Sequence, residues 1–170
     1  MTPTELLIEE FSRIQGSVHR VLKDASSATL TFRADADANT IAWLTWHLSR
    51  VQDDHLADLA GTTQVYSSQG WADRFALPFG PTATGYGHTS GDVAAVRADA
   101  ELLGGYYDAV HTATVAYLAT LTEADLNRVV DESWTPAVTV GVRLASVLSD
   151  DLQHAGQAAF VRGLADRAGV

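Results

Sequence analysis

The last apolar run of the chain starts after Pro136, near Thr139 or Val140, and continues to about Arg167 without another proline. Leu144, Val147, Leu148, Ala155 and Ala159 recur in it at helical spacing, so the run must lay one face against a core. Close to its centre stands Asp150-Asp151-Leu152-Gln153-His154-Ala155-Gly156-Gln157, which puts two carboxylates and an imidazole among apolar neighbours. Burying such groups requires compensation. Asp150 and His154 are four residues apart, so they lie one turn apart on one side of the helix and reach toward a common point. About a hundred residues earlier, His47 interrupts the apolar segment Ile41-Ala42-Trp43-Leu44-Thr45-Trp46-His47-Leu48. Two helices can thus supply three ligands, His47, Asp150 and His154, and leave the open coordination position that catalytic zinc sites keep. Asp151 projects nearer the middle of the apolar stripe than Asp150 does; it is either the ligand itself or a group that orients a ligand histidine.

Three further helical segments precede this one. The first is expected from Pro3 to Lys23, with Thr2 as cap and Glu5 completing a capping box. After an extended piece, Thr29-Leu30-Thr31-Phe32, the second is expected from about Thr40 to Ala60, capped by Asn39 and ended by Gly61. The third is expected from Asp92 to Leu121, with Thr89 and Asp92 in capping-box spacing and Gly104-Gly105 weakening its middle. No segment demands a sheet. The expected architecture is all-α: an antiparallel four-helix bundle formed as a single domain over residues 1–170, with a long aromatic crossover loop between the second and third helices. That loop, Thr62 to Ser90, carries Trp71, Phe75 and Phe79, which are expected to cover the metal pocket and contact its ligand.

On the second helix, Asp54 lies two turns beyond His47 on nearly the same side, placed to accept a proton or to support a ligand. His55 falls within the core stripe and is expected to be a hydrogen-bonded structural histidine. His19, His88 and His111 have no comparable partners in sequence and are expected at the surface or in loops.

Composition narrows the chemistry. The 170-residue chain contains no cysteine, which excludes disulfides, cysteine nucleophiles and thiolate ligands. Imidazole and carboxylate donors remain, and these suit zinc, iron, nickel or manganese. Any thiol chemistry must use sulfur brought by another molecule. A formal net charge of −10 repels phosphate backbones and anionic lipid surfaces, so neither nucleic acid nor membrane is an expected partner. No window approaches the roughly 20 apolar residues of a membrane span, and the N-terminus has no leader-like block, so a cytoplasmic location is expected. Phosphate-binding glycine loops, dinucleotide fingerprints and nucleophile-elbow patterns are absent.

Asn39-Thr40-Ile41-Ala42-Trp43-Leu44-Thr45-Trp46-His47-Leu48, together with His154-Ala155-Gly156-Gln157-Ala158 and Val161-Arg162-Gly163, resembles the DinB/YfiT-like superfamily. More narrowly, the sequence resembles its actinobacterial branch of mycothiol-dependent maleylpyruvate isomerases and mycothiol transferases. The resemblance implies a four-helix bundle holding a divalent metal, zinc or nickel, through His47, Asp150 and His154. Asp150 stands where that family commonly carries His or Glu and is a shorter carboxylate. The resemblance also implies mycothiol as cosubstrate, activated for S-transfer to a small electrophile or for its isomerisation, and a possible homodimer. Two alternatives use the same residues: a metal-dependent hydrolase, and a non-catalytic metal- or ligand-binding bundle associated with stress.

Overall fold

The computed structural model describes residues 1–170 and is mostly helical. Helix α1, Pro3–Leu22, opens with the expected capping box: Thr2 Oγ1 accepts from the Glu5 amide at 3.1 Å, and Glu5 Oε2 accepts from the Thr2 amide at 2.7 Å. Its Phe11, Ile14, Val18, Val21 and Leu22 are buried. The piece expected to be extended is instead a short helix, α2, Ser27–Thr31. The Ser26 hydroxyl accepts from the Thr29 amide at 3.0 Å, and one helical turn buries the consecutive residues Thr29 and Leu30 together, which a strand does not do. The cap and the burial decide the local structure.

Helix α3, Ile41–Ala60, is capped by Thr40 rather than by the expected Asn39; the Thr40 hydroxyl accepts from the Trp43 amide at 3.1 Å. It ends at Gly61 in the left-handed region, φ 66°. Every residue from 41 to 50 is buried, so this half of α3 is enclosed on all sides. Its covering includes the segment that follows it, which contains α4, Val65–Ser68, and α5, Trp71–Phe75.

The expected third helix is broken in two. Helix α6, Ser90–Ala95, keeps the Thr89–Asp92 capping box, and α7, Ala100–Leu118, starts anew with Asp99 Oδ1 accepting from the Leu102 amide at 2.7 Å. Between them Val96 leaves the helix (φ −76°, ψ 95°) and is buried. Burial of Val93 and Val96 and the cap at Asp99 outweigh the helical continuity that the sequence suggests. The adjacent glycines of α7 differ in the space around them. A Cβ on Gly104 would meet Leu22 Cδ1 at 3.5 Å, and one on Gly105 would meet Trp71 Cη2 at 3.1 Å.

A 3-10 turn at Ala124–Asn127 leads to β1, Val129–Asp131, and β2, Val138–Thr139, a small antiparallel pair that the periodicity did not require. Helix α8, Val140–Ala168, follows directly, capped by Thr139 and ended by Gly169. The four long helices meet in a ring: α1 packs on α7 and α8, and α3 packs on the same two. Phe11, Ile14, Leu44, Leu48, Leu103 and Leu144 belong to the continuous core between them. No helix is long and apolar enough to cross a membrane.

Candidate metal centre

The contact of α3 with α8 brings His47, Asp150 and His154 together. Each offers one ligand atom, and these atoms lie within 4.8 Å of one another. The His47 and His154 rings meet edge to face with centroids 4.7 Å apart, while the Trp43 ring stacks on His47 at 4.6 Å and 13°. Both imidazoles are oriented from behind. His47 Nδ1–H donates to the Thr84 carbonyl at 2.5 Å, and His154 Nδ1–H donates to Gln157 Oε1 at 2.9 Å. Each hydrogen bond selects the tautomer that leaves Nε2 as the donor atom for a cation. His154 Nε2 lies 3.5 Å from Asp150 Oδ1.

The electrostatics suit a divalent cation. Burial lowers the pKa of His47 and favours its neutral form, against the opposing pull of the Thr84 hydrogen bond. Burial pushes Asp150 up, but the hydrogen bond and charge of His154, with the charges of His47 and His55, outweigh it and hold the carboxyl below its usual range. The hydrogen bond to Asp150 in turn raises His154. Asp150 Oδ2 is buried and has no hydrogen-bond partner. An unpaired carboxylate oxygen beside two imidazoles is costly unless something positive reaches it. The residues present therefore fit a metal ion.

Asp151 does not join them. It is fully buried with neither carboxyl oxygen hydrogen-bonded, and burial, reinforced by the neighbouring Asp150, raises its pKa well above the usual value.

A cavity of about 290 Å³ adjoins the cluster, lined in part by His47, Asp54, His55, Thr84, Tyr86 and Asp150. Asp54 reaches this wall, and its Oδ1 accepts from Gln64 Nε2 at 2.6 Å. His55 is hydrogen-bonded as expected, its Nδ1 accepting from Arg143 at 3.0 Å, but it also faces the cavity. The segment between α3 and α6 contributes through Thr84 and Tyr86 rather than through the aromatics singled out in the sequence. Trp71 and Phe75 are buried against Tyr106, with centroids 5.7 Å away in both cases, and neither lines this cavity. Phe79 packs on Trp46 and His88 instead. His88, expected to lack partners, accepts from Trp43 Nε1 at 3.1 Å through its Nδ1. His111 is buried rather than exposed, whereas His19 is exposed and pairs with Asp108 at 2.7 Å.

Sequence reasoning missed the group that holds the segment down. Arg50, fully buried one turn beyond His47, donates to the carbonyls of Ala83 (3.0 Å) and Pro81 (3.1 Å) and to Gln64 Oε1 (2.8 Å). Asp53 lies 3.4 Å from the guanidinium, and its carboxylate accepts from the amides of Val65 and Tyr66 at 2.8 Å each and from the Tyr106 hydroxyl at 2.8 Å. A charged pair inside an apolar helix was the available signal, since such groups are almost never fully buried without partners.

The family model of the DinB superfamily matches residues 10–158. The chain belongs to the DinB superfamily. Among solved structures, this DinB chain is similar to a conserved protein from Enterococcus faecalis, whose crystal structure it matches at a TM-score of 0.89 and 31% identity, covering 95% of this chain and 96% of that one. No curated protein matches it.

Proposed function

We propose that this DinB protein is a metal-dependent enzyme that activates a low-molecular-weight thiol, with mycothiol as the cosubstrate, for S-transfer to a small electrophile or for its isomerisation. The reading takes the four long helices as an antiparallel bundle with the Thr62–Ser90 segment as its crossover. One observation carries it: His47, Asp150 and His154 converge beside a cavity, and a buried oxygen of Asp150 has no partner. These three residues would hold the ion, zinc or alternatively nickel, which supplies the positive charge that makes a bound thiol acidic near neutral pH.

The chain's own residues do the rest. Asp54, on the cavity wall, accepts the proton as the S–H bond breaks, and Gln64 holds its carboxylate in place. In transfer, the sulfur electron pair forms a C–S bond and the leaving group departs with its own pair; in isomerisation, the adduct forms, rotates and releases the same thiol. With no cysteine in the chain, the sulfur comes from the cosubstrate. Thr84, Tyr86 and Ser146, all with hydroxyl side chains, line the same cavity, which suits a hydroxyl-rich thiol.

The test is purified protein mixed with mycothiol and an activated aromatic halide, with and without zinc. Turnover that requires both thiol and zinc supports the proposal. Thiol-independent ester cleavage would favour a hydrolase, and no turnover with zinc bound would favour a non-catalytic binding protein; either result overturns it.

A further inference from the structure

Residues 81–88 pass over α3 as a strap tied at three successive points of one helix face. Arg50 holds the carbonyls of Pro81 and Ala83, His47 holds that of Thr84, and Trp43 holds His88. At the centre of the strap, Gly85 has φ +100°, a conformation that L side chains rarely adopt. Space as well as backbone geometry requires glycine there. A Cβ on Gly85 would lie 2.6 Å from His47 Nδ1 and 3.1 Å from both Trp43 Cζ2 and Trp46 Cζ3.

We infer that Gly85 is a positioning residue for His47: its missing side chain lets the Thr84 carbonyl reach Nδ1 and fixes the imidazole with Nε2 free. Trp43 presses on the ring face while the strap holds its Nδ1 edge, so both rotation and tautomer are set before any ligand arrives. Gly87 supplies the contrast. It also has positive φ, +74°, but nothing lies within 4 Å of where its Cβ would be. Alanine at either position meets the same kind of backbone penalty, and only alanine at 85 meets the imidazole.

The inference rests on the metal-centre reading for its consequence, and the experiment separates the two. Zinc affinity is measured by chelator competition for wild type, Gly85→Ala and Gly87→Ala, and the His47 tautomer is read from imidazole ¹⁵N shifts of the metal-free proteins. Gly85→Ala is expected to lose about 10- to 100-fold in zinc affinity, the usual effect of disturbing a group behind a metal ligand, and to lose the Nδ1–H signature. Gly87→Ala is expected to keep both. Equal affinity and an unchanged tautomer in Gly85→Ala, or equal losses in the two variants, overturn the inference.

Failure of wild type to bind zinc sinks the proposed function alone, because the tautomer still reports on the strap. A double-mutant cycle covers the case in which Gly85→Ala folds poorly. Removing the imidazole with His47→Ala makes room for the new methyl, so Gly85→Ala should lower the melting temperature less in that background than in wild type. The same loss in both backgrounds contradicts a contact through His47.

Discussion

Asp150 and Asp151 are consecutive on α8, yet Asp150 lies 3.5 Å from the His154 imidazole while Asp151 is fully buried with no hydrogen-bond partner. One turn of helix thus carries one carboxyl held below its usual range at the cavity and another that burial pushes well above it in the core. Asp150→Asn should lose stoichiometric zinc, and Asp151→Asn should keep it. Stability against pH separates them further. The folded-state pKa of Asp151 is raised, so the folded protein holds a proton that the unfolded chain releases, and this contribution to stability is lost as pH rises through the folded value. Asp151→Asn lacks that loss. Urea denaturation of metal-free protein should show the variant gaining on wild type as pH rises from about 4 to about 8. A gap that stays constant across this range would contradict the burial-raised Asp151 carboxyl.

Zinc binding should weaken on acidification because a proton on His154 competes with the ion. The Asp150 hydrogen bond raises His154, so the fall should begin at higher pH than an unpaired histidine would give and approach about tenfold per pH unit for one proton. Burial lowers His47, so its proton competes only at lower pH. Asp150→Asn removes the main cause of the His154 shift; residual affinity in that variant should therefore persist to lower pH than in wild type. Chelator competition across the pH range reads both curves.

Two adjacent glycines of α7 should respond oppositely to alanine. At Gly104 the new methyl makes an ordinary contact with Leu22, and the gain in helix propensity is about 1 kcal/mol. At Gly105 it meets the Trp71 ring at 3.1 Å, and that ring already contacts Tyr106 and the Arg74 guanidinium. Overpacking of this kind costs about 1–3 kcal/mol, which outweighs the propensity gain. Thermal melts should show Gly104→Ala stabilised and Gly105→Ala destabilised.

Asp54→Asn keeps the side chain's size and removes its charge. Zinc should remain bound while thiol transfer falls by about 10²- to 10⁴-fold, the range of general acid–base groups. Unchanged turnover would leave Asp54 as a Gln64 partner only.

The long helices were legible because apolar spacing and terminal caps act locally: Thr2 and Glu5 mark one start, and Gly61 marks one end. His47, Asp150 and His154 were legible because polar groups inside apolar runs require partners. The break before Asp99 was not legible, since it depends on the core accepting Val93 and Val96 together. Nor was the covering of the site. Trp71, Phe75 and Phe79 have the composition of a ligand-binding wall, but Tyr106, Tyr66, Trp46 and His88 take their faces. The segment reaches the cavity at Thr84 and Tyr86 because Arg50 pins Pro81 and Ala83, a tertiary relation with no periodic signature.

The most direct test is a zinc titration of metal-stripped protein during thiol transfer to an activated aromatic halide, run on wild type and His154→Ala. Wild-type activity should rise linearly to a plateau at one zinc per chain, while His154→Ala keeps its helical content and stays inactive. Full thiol transfer by metal-free wild type, or by His154→Ala, would contradict the metal-assisted thiol mechanism.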